Sequence, residues 1–190
     1  MNNRKLILPV ILILSLILTG WAYHPKETIK EQTAVIDQLS QEISKIEQLP
    51  SGSQFSLTIS DADLTGAAGE FLETYKTEIE QTLKQYANVN LKVSEPKVTF
   101  SAGGFKLSLK VGISFVKVTA SAEGTITLQN GTPIVTLTSV DVPVVSVPVA
   151  DVNATIQSYV NQYAGSINNA YTILSIETQE GYLTITGIKK

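Results

Sequence analysis

The 190-residue chain has no cysteine and one histidine, His24. Without cysteine there are no disulfides, thiolate zinc sites, iron–sulfur clusters or cysteine nucleophiles, and no bacterial lipoprotein anchor. His24 lies beside the N-terminal apolar run, badly placed for a Ser–His–Asp triad inside a folded domain. No G-x-S-x-G elbow, H-E-x-x-H pair, phosphate loop, dinucleotide fingerprint or EF-hand loop occurs. Charge is scarce as well, at 16% of residues, and it is absent from Gly124 to Val140 and from Val152 to Ile176. The net charge is −3, and −5 once Arg4 and Lys5 are set aside. A mildly acidic remainder lacks the concentrated basic face that nucleic acid requires. It also argues against a broad cationic patch for anionic lipid, while leaving room for a small local one.

What the chain does have is oil in regular patterns. Hydrophobic residues make up 43%, enough to build a real core. Arg4 and Lys5 precede a nearly pure apolar run, Leu6 to Leu18, with Trp21 and Tyr23 beyond it. Residues 1–23 thus read as a signal anchor or transmembrane segment. As a helix, Leu6 to Tyr23 spans roughly 27 Å, near the lower limit for a bilayer. Cleavage after Ala22 is the other reading and would yield a secreted protein. The positive-inside rule places the rest outside the cytoplasm, so the expected location is the cell membrane, single-pass, with an extracytoplasmic C-terminal domain.

Residues 24–53 form a helical stalk and linker. Ile29, Ile36 and Ile43, with Leu39 and Ile46, make a short heptad seam. The seam either leans on the domain or joins a second copy into a homo-oligomer. Pro50-Ser51-Gly52-Ser53 closes the stalk.

Residues 54–190 read as an α+β domain. Phe55, Leu57 and Ile59 alternate along a strand. Ser60 and Asp63 have the spacing of a capping box opening a long helix to about Asn88, with Asp61 also suited to its positive end. The helix stripe is Leu64, Ala68, Phe71, Leu72, Tyr75, Ile79, Leu83 and Tyr86. Phe105, Leu107, Leu109, Val111, Ile113 and Phe115 alternate without a break. The phase changes at Phe115-Val116, which reads as a bulge inside one long strand, and Gly124 reads as a further bend. Asn130-Gly131 and Glu180-Gly181 are turns, and a second helix spans roughly Ala150 to Asn169. The expected architecture is two amphipathic helices covering one face of a highly curved antiparallel sheet. The acids, Asp61 with Asp63 and Asp141 with Asp151, read as capping and loop residues rather than a catalytic pair. No enzyme activity and no cofactor or metal are expected.

The run Phe55 to Leu64 resembles the entry strand and helix start of the LmeA-like phospholipid-binding family. So do Glu95-Pro96-Lys97-Val98-Thr99-Phe100, Gly124 to Gly131 and Gly181 to Gly187. The layout also resembles the YpmS-like membrane-anchored proteins of Gram-positive bacteria. Both are related to the tubular lipid-binding (TULIP) superfamily. The resemblance covers roughly Gln54 to Ile188. It implies a half-TULIP-like domain, a long helix wrapped by a curved sheet, with an apolar groove for a phospholipid-like amphiphile. By face and period the groove residues are Phe71, Tyr75 and Ile79 on the helix and Phe100, Leu107, Leu109, Ile113 and Phe115 on the sheet. The expected function is a membrane-tethered lipid-binding module of the cell envelope. The alternative is a non-enzymatic scaffold with a filled core and a coiled-coil stalk.

Overall fold

A computed structural model describes residues 34–87, 91–113, 116–142 and 148–190. The fold is α+β with antiparallel sheets. In chain order the elements are α1 (Ala34–Gln48), β1 (Gln54–Ser60), α2 (Asp61–Ala87), β2 (Leu91–Ser101) and β3 (Gly104–Ile113). Then come β4 (Val116–Gln129), β5 (Thr132–Asp141), α3 (Val149–Ala170), β6 (Tyr171–Gln179) and β7 (Tyr182–Lys189). The expected anchor, Met1 to Tyr23, and the first part of the stalk, including Ile29, lie outside the described residues. Among the described residues no helix is long and apolar enough to cross a membrane.

The strands make two sheets where the sequence predicted one. One is β1-β7-β6 and the other is β2-β3-β4-β5. β7 is the central strand of the smaller sheet because it pairs with β1 on one side and β6 on the other, across most of the chain's length. The two sheets meet at their turns. Gly103 donates its amide to the Thr178 carbonyl at 3.3 Å, and Gly181 donates to Phe100 O at 3.3 Å. Asp61 N–H reaches Gly181 O at 2.9 Å, so the start of α2 is pinned to the same junction.

The chain reverses between Ile113 and Val116, so the change of phase is not a bulge inside one strand. Ile113 pairs with Val116, Val111 with Val118 and Leu109 with Ala120, so the long alternating run belongs to two antiparallel strands. A bulge and a tight turn both shift the apolar phase, and only pairing separates them. Register shifts do occur elsewhere: between Ser94 and Lys97 in β2, at Glu123/Gly124 in β4, and between Ile173 and Ser175 in β6. The Gly124 bend is therefore in place. An alanine Cβ there would meet Thr136 O at 2.5 Å, so only glycine lets β5 approach this closely.

The two helices do not cover one sheet face together. Each lies along one edge strand of the four-stranded sheet, α2 against β2 and α3 against β5. Open edges carry unpaired backbone groups that invite foreign strands. Here helix side chains occupy them. Thr65 Oγ1 on α2 accepts from Val98 N–H at 2.9 Å and also lies 3.3 Å from Val98 O as donor. Asp61 Oδ1 accepts from Phe100 N–H at 2.6 Å. On the other edge, Asn153 of α3 accepts from Leu137 N–H at 2.7 Å and donates to Leu137 O at 2.9 Å. Asn168 donates to Thr132 Oγ1 at 3.2 Å. A side-chain amide carries a donor nitrogen beside an acceptor oxygen, so it substitutes for a neighbouring strand's peptide group.

One apolar cluster ties these parts together. It includes Phe55, Leu57 and Ile59 from β1, Leu64 and Leu72 from α2, and Phe105, Leu107, Leu109 and Val111 from β3. Val152 and Ile156 of α3 complete it, both at 0% exposure. Of the heptad seam, Ile46 joins the core, and Leu39 and Ile43 pack against it. These seam residues lean on the domain.

Candidate functional site

The start of α2 is built as its sequence implies. Ser60 N–H donates to Asp63 Oδ2 at 2.8 Å, Ser60 Oγ donates to the same oxygen at 2.6 Å, and Asp63 N–H donates to Ser60 Oγ at 3.1 Å. This reciprocal cap satisfies orphan amides at the helix N-terminus. Asp61 points to the sheet edge instead. Both acids are thus engaged with backbone.

Of the expected groove residues, Phe100, Leu107, Leu109 and Tyr75 come together. Phe100, Leu107 and Leu109 are exposed by only 1%, 2% and 5%. Tyr75 is half-buried and packs against the same cluster. Phe71 and Ile79 lie on α2, one turn to either side of Tyr75. Ile113 ends β3, opposite Leu91 and Val116. Phe115 lies outside the described residues.

The inner face of the sheet has a graded profile. β3 presents the large side chains, and its partner β4 presents Ala120, Ala122 and Gly124 opposite Leu109, Leu107 and Phe105. Large residues beside small ones let side chains interdigitate. The length of α2 suits this face. Twenty-seven residues make a rod of about 40 Å, and the eleven of β2 extend about 37 Å.

A second feature lies on the outside. An open cleft of about 560 Å³ follows the irregularity in β2. Asp61, Ala62 and Thr65 of α2 border it, together with Glu95 to Val98 of β2, Ser108, Leu109 and Lys110 of β3, and Thr119 of β4. Glu95 holds a left-handed φ of 54°, uncommon for a residue with a Cβ. Pro96 follows it and has no amide to give to the ladder, so the strand kinks there. Leu109 is the one expected groove residue that lines this cleft. Thr65, Asn153 and the lysines around the cleft were not singled out from sequence. The Glu95-Pro96 pair inside an alternating run was the available signal for a kinked edge strand, and the alternation of Lys106 and Lys110 marked the wet face.

Among the described residues no cluster of histidines and acids of metal-binding size occurs. Burial raises the Tyr171 phenol above the ordinary 10.0, and the Glu47 carboxylate adds to that. Its ring meets Phe55 edge-on at 5.5 Å. Gly187 leaves the space that the Phe55 ring fills, since a Cβ there would come within 2.5 Å of it.

No protein-family model matches this chain, and no curated protein matches it.

Proposed function

We propose that this chain is a membrane-tethered, extracytoplasmic module that binds a phospholipid-like amphiphile and performs no chemistry on it. The observation that carries this reading is a four-stranded sheet whose two open edges are each bonded to a helix, around a continuous apolar face. Bonds from Thr65 and Asp61 to Val98 and Phe100 on one side, and from Asn153 to Leu137 on the other, bring a helix to each side of a gutter. Its floor, from Phe105 to Val111, is oily at every inward position. Such a gutter is half of a TULIP-like wrap, with α2 as its long helix. Acyl chains drawn into it would gain about 0.8 kcal/mol per methylene removed from water. The apolar run before Tyr23 supports the tether, and its charge order supports the extracytoplasmic placement.

The test is lipid extraction and native mass spectrometry on residues 24–190, purified without detergent from cells. Amphiphile retained near one per chain is the expected result. A chain that stays folded and monodisperse with no bound amphiphile refutes lipid carriage and favours the filled-core scaffold.

A further inference from the structure

The two sheets have four outer edges, and three of them are blunted. β2 is kinked at Glu95-Pro96 and bonded by Asp61 and Thr65. β5 carries Pro133 and meets Asn153. β6 is interrupted between Ile173 and Ser175, and its Thr178 carbonyl accepts from Gly103. β1 has none of these devices. Its sequence, Gln54 to Ser60, contains no charge, proline or glycine, and its register with β7 is unbroken. Among the described residues no helix runs along it as α2 runs along β2 and α3 along β5. Lys189 N–H donates to Ser53 O and Asp61 N–H to Gly181 O, each at 2.9 Å, so the odd-numbered residues between them face β7. Gln54, Ser56 and Thr58 therefore turn their N–H and C=O groups to the open side. These residues are exposed, and among the described residues nothing bonds those backbone groups.

Both ends of this open stretch are fixed. Gly52 N–H is taken by Lys189 O, and Ser60 N–H by Asp63 Oδ2. The free groups run from Gln54 to Thr58, with Ser56 at their centre. We propose that β1 pairs antiparallel with β1 of a second copy, about a two-fold axis at Ser56, and so joins two three-stranded sheets into one. In that register Gln54 meets the partner's Thr58, and Ser56 meets the partner's Ser56. Each such pair exchanges both N–H···O bonds, so every outward group is satisfied. A two-fold at Phe55 would set Thr58 against Gly52, and one at Leu57 would set Gln54 against Ser60, whose amides are spent. Self-pairing sets a charge at the centre against its own copy. This strand has none, and its outer row of glutamine, serine and threonine suits hydrogen bonding across the seam. Phe55 and Leu57 are already buried within each chain, so the seam is backbone and polar, and the pairing is reversible. The far edge of the same sheet is the bonded β6, so assembly closes at two copies and does not grow into a filament. The pairing requires neither the tether nor a lipid cargo.

The test is disulfide trapping of the full chain in neutral detergent, where the absence of native cysteine leaves only the introduced thiols to react. Opposed residues of a hydrogen-bonded pair lie about 5.5 Å apart at Cα, inside the range that a disulfide spans. Under mild oxidation Ser56→Cys should form homodimers about tenfold faster than Ser139→Cys, an exposed position on β5. Gln54→Cys should link to Thr58→Cys in mixed copies but not to itself, since the two Gln54 positions stand about 14 Å apart along the seam. Adding Ser56→Lys to both of those variants should abolish their cross-link through like charge at the axis. Ser56→Lys on one copy with Ser56→Asp on the other should restore it. The far-ultraviolet circular dichroism of the reduced chains should stay unchanged throughout. Equal rates for Ser56→Cys and Ser139→Cys overturn the proposal, as does self-linking of Gln54→Cys at the rate of the mixed pair. A cross-link that survives Ser56→Lys overturns it too, because copies held by another surface would ignore that charge. If Ser56→Cys captures a different protein in the producing cells and forms no homodimer, the edge serves a foreign strand and self-pairing is refuted. Amphiphile retained or absent in the same preparations reports on the lipid reading alone.

Discussion

Asn153→Ala tests whether α3 holds the four-stranded sheet closed. Asn153 makes two bonds to one residue, Leu137, which is 2% exposed. Truncation removes both and leaves an amide and a carbonyl on a buried strand edge. A typical neutral bond contributes about 0.5–1.5 kcal/mol net, but a buried group left unpaired costs about 1–3 kcal/mol. Two such groups give about 3 kcal/mol, and alanine returns about 0.5 kcal/mol in helix propensity. The expected destabilisation is therefore about 2–3 kcal/mol, a fall of about 1 M in the urea midpoint at an unchanged slope. Asn161→Ala is the matched control, because Asn161 is exposed and accepts from Gln157 on the same helix. It should change stability by less than about 0.5 kcal/mol. Asn153→Asp keeps the acceptor for Leu137 N–H but sets an oxygen against Leu137 O, so it should be no better than alanine at neutral pH. If Asn153→Ala and Asn161→Ala prove equal in urea, edge closure contributes nothing and α3 is held by Val152 and Ile156 alone.

Four further outcomes follow from local geometry. Ser60→Ala removes the two cap bonds made by the hydroxyl, leaves that from the Ser60 amide to Asp63, and should cost about 1 kcal/mol in chemical denaturation. Gly124→Ala should cost about 1–3 kcal/mol, since its methyl group meets the Thr136 carbonyl and the Leu137 backbone. Gly69→Ala, in the interior of α2 with open space around it, should instead add about 0.5–1 kcal/mol; calorimetry on the two variants should give shifts of opposite sign. Tyr171 holds its proton more tightly when folded, so stability should fall as pH rises above 10.0, where the unfolded chain ionises first. Tyr171→Phe should flatten that alkaline loss, measured as the unfolding midpoint against pH.

Local signals carried much of the fold. Strand β1 and the Ser60–Asp63 cap were legible because both depend on residues within one turn of each other. The Asn130-Gly131 turn was legible because it needs positive φ at both positions, 52° and 77°, which these residue types tolerate. What escaped was pairing. Nothing local in Phe105 to Ala122 separates a bulge from a reversal at Phe115-Val116. The partition into two sheets depends on β1 finding β7, a contact between distant segments. The edge-closing roles of Thr65 and Asn153 were hidden because a polar residue on a helix ordinarily faces water. The one hint was compositional: an α3 without charge from Val152 onward, of whose amides Asn153 serves backbone instead of solvent. Of the candidate site, the apolar faces were visible in the periodicity. The lysines of β2, β3 and β4 were overlooked as a group because net charge averages over the whole chain, and their common face emerges only when three strands are laid side by side.

The pairing of β1 with β7 also sets an order of assembly. As the chain is made, β2 to β5 can zip into their meander by nearest-neighbour turns. β1 has no neighbour to join until a segment more than a hundred residues downstream has appeared. Until then its row of Phe55, Leu57 and Ile59 is unsheltered, and an emerging polypeptide would need a holding factor or rapid completion to stay out of aggregates. The β6–β7 hairpin thus acts as the latch that closes the smaller sheet.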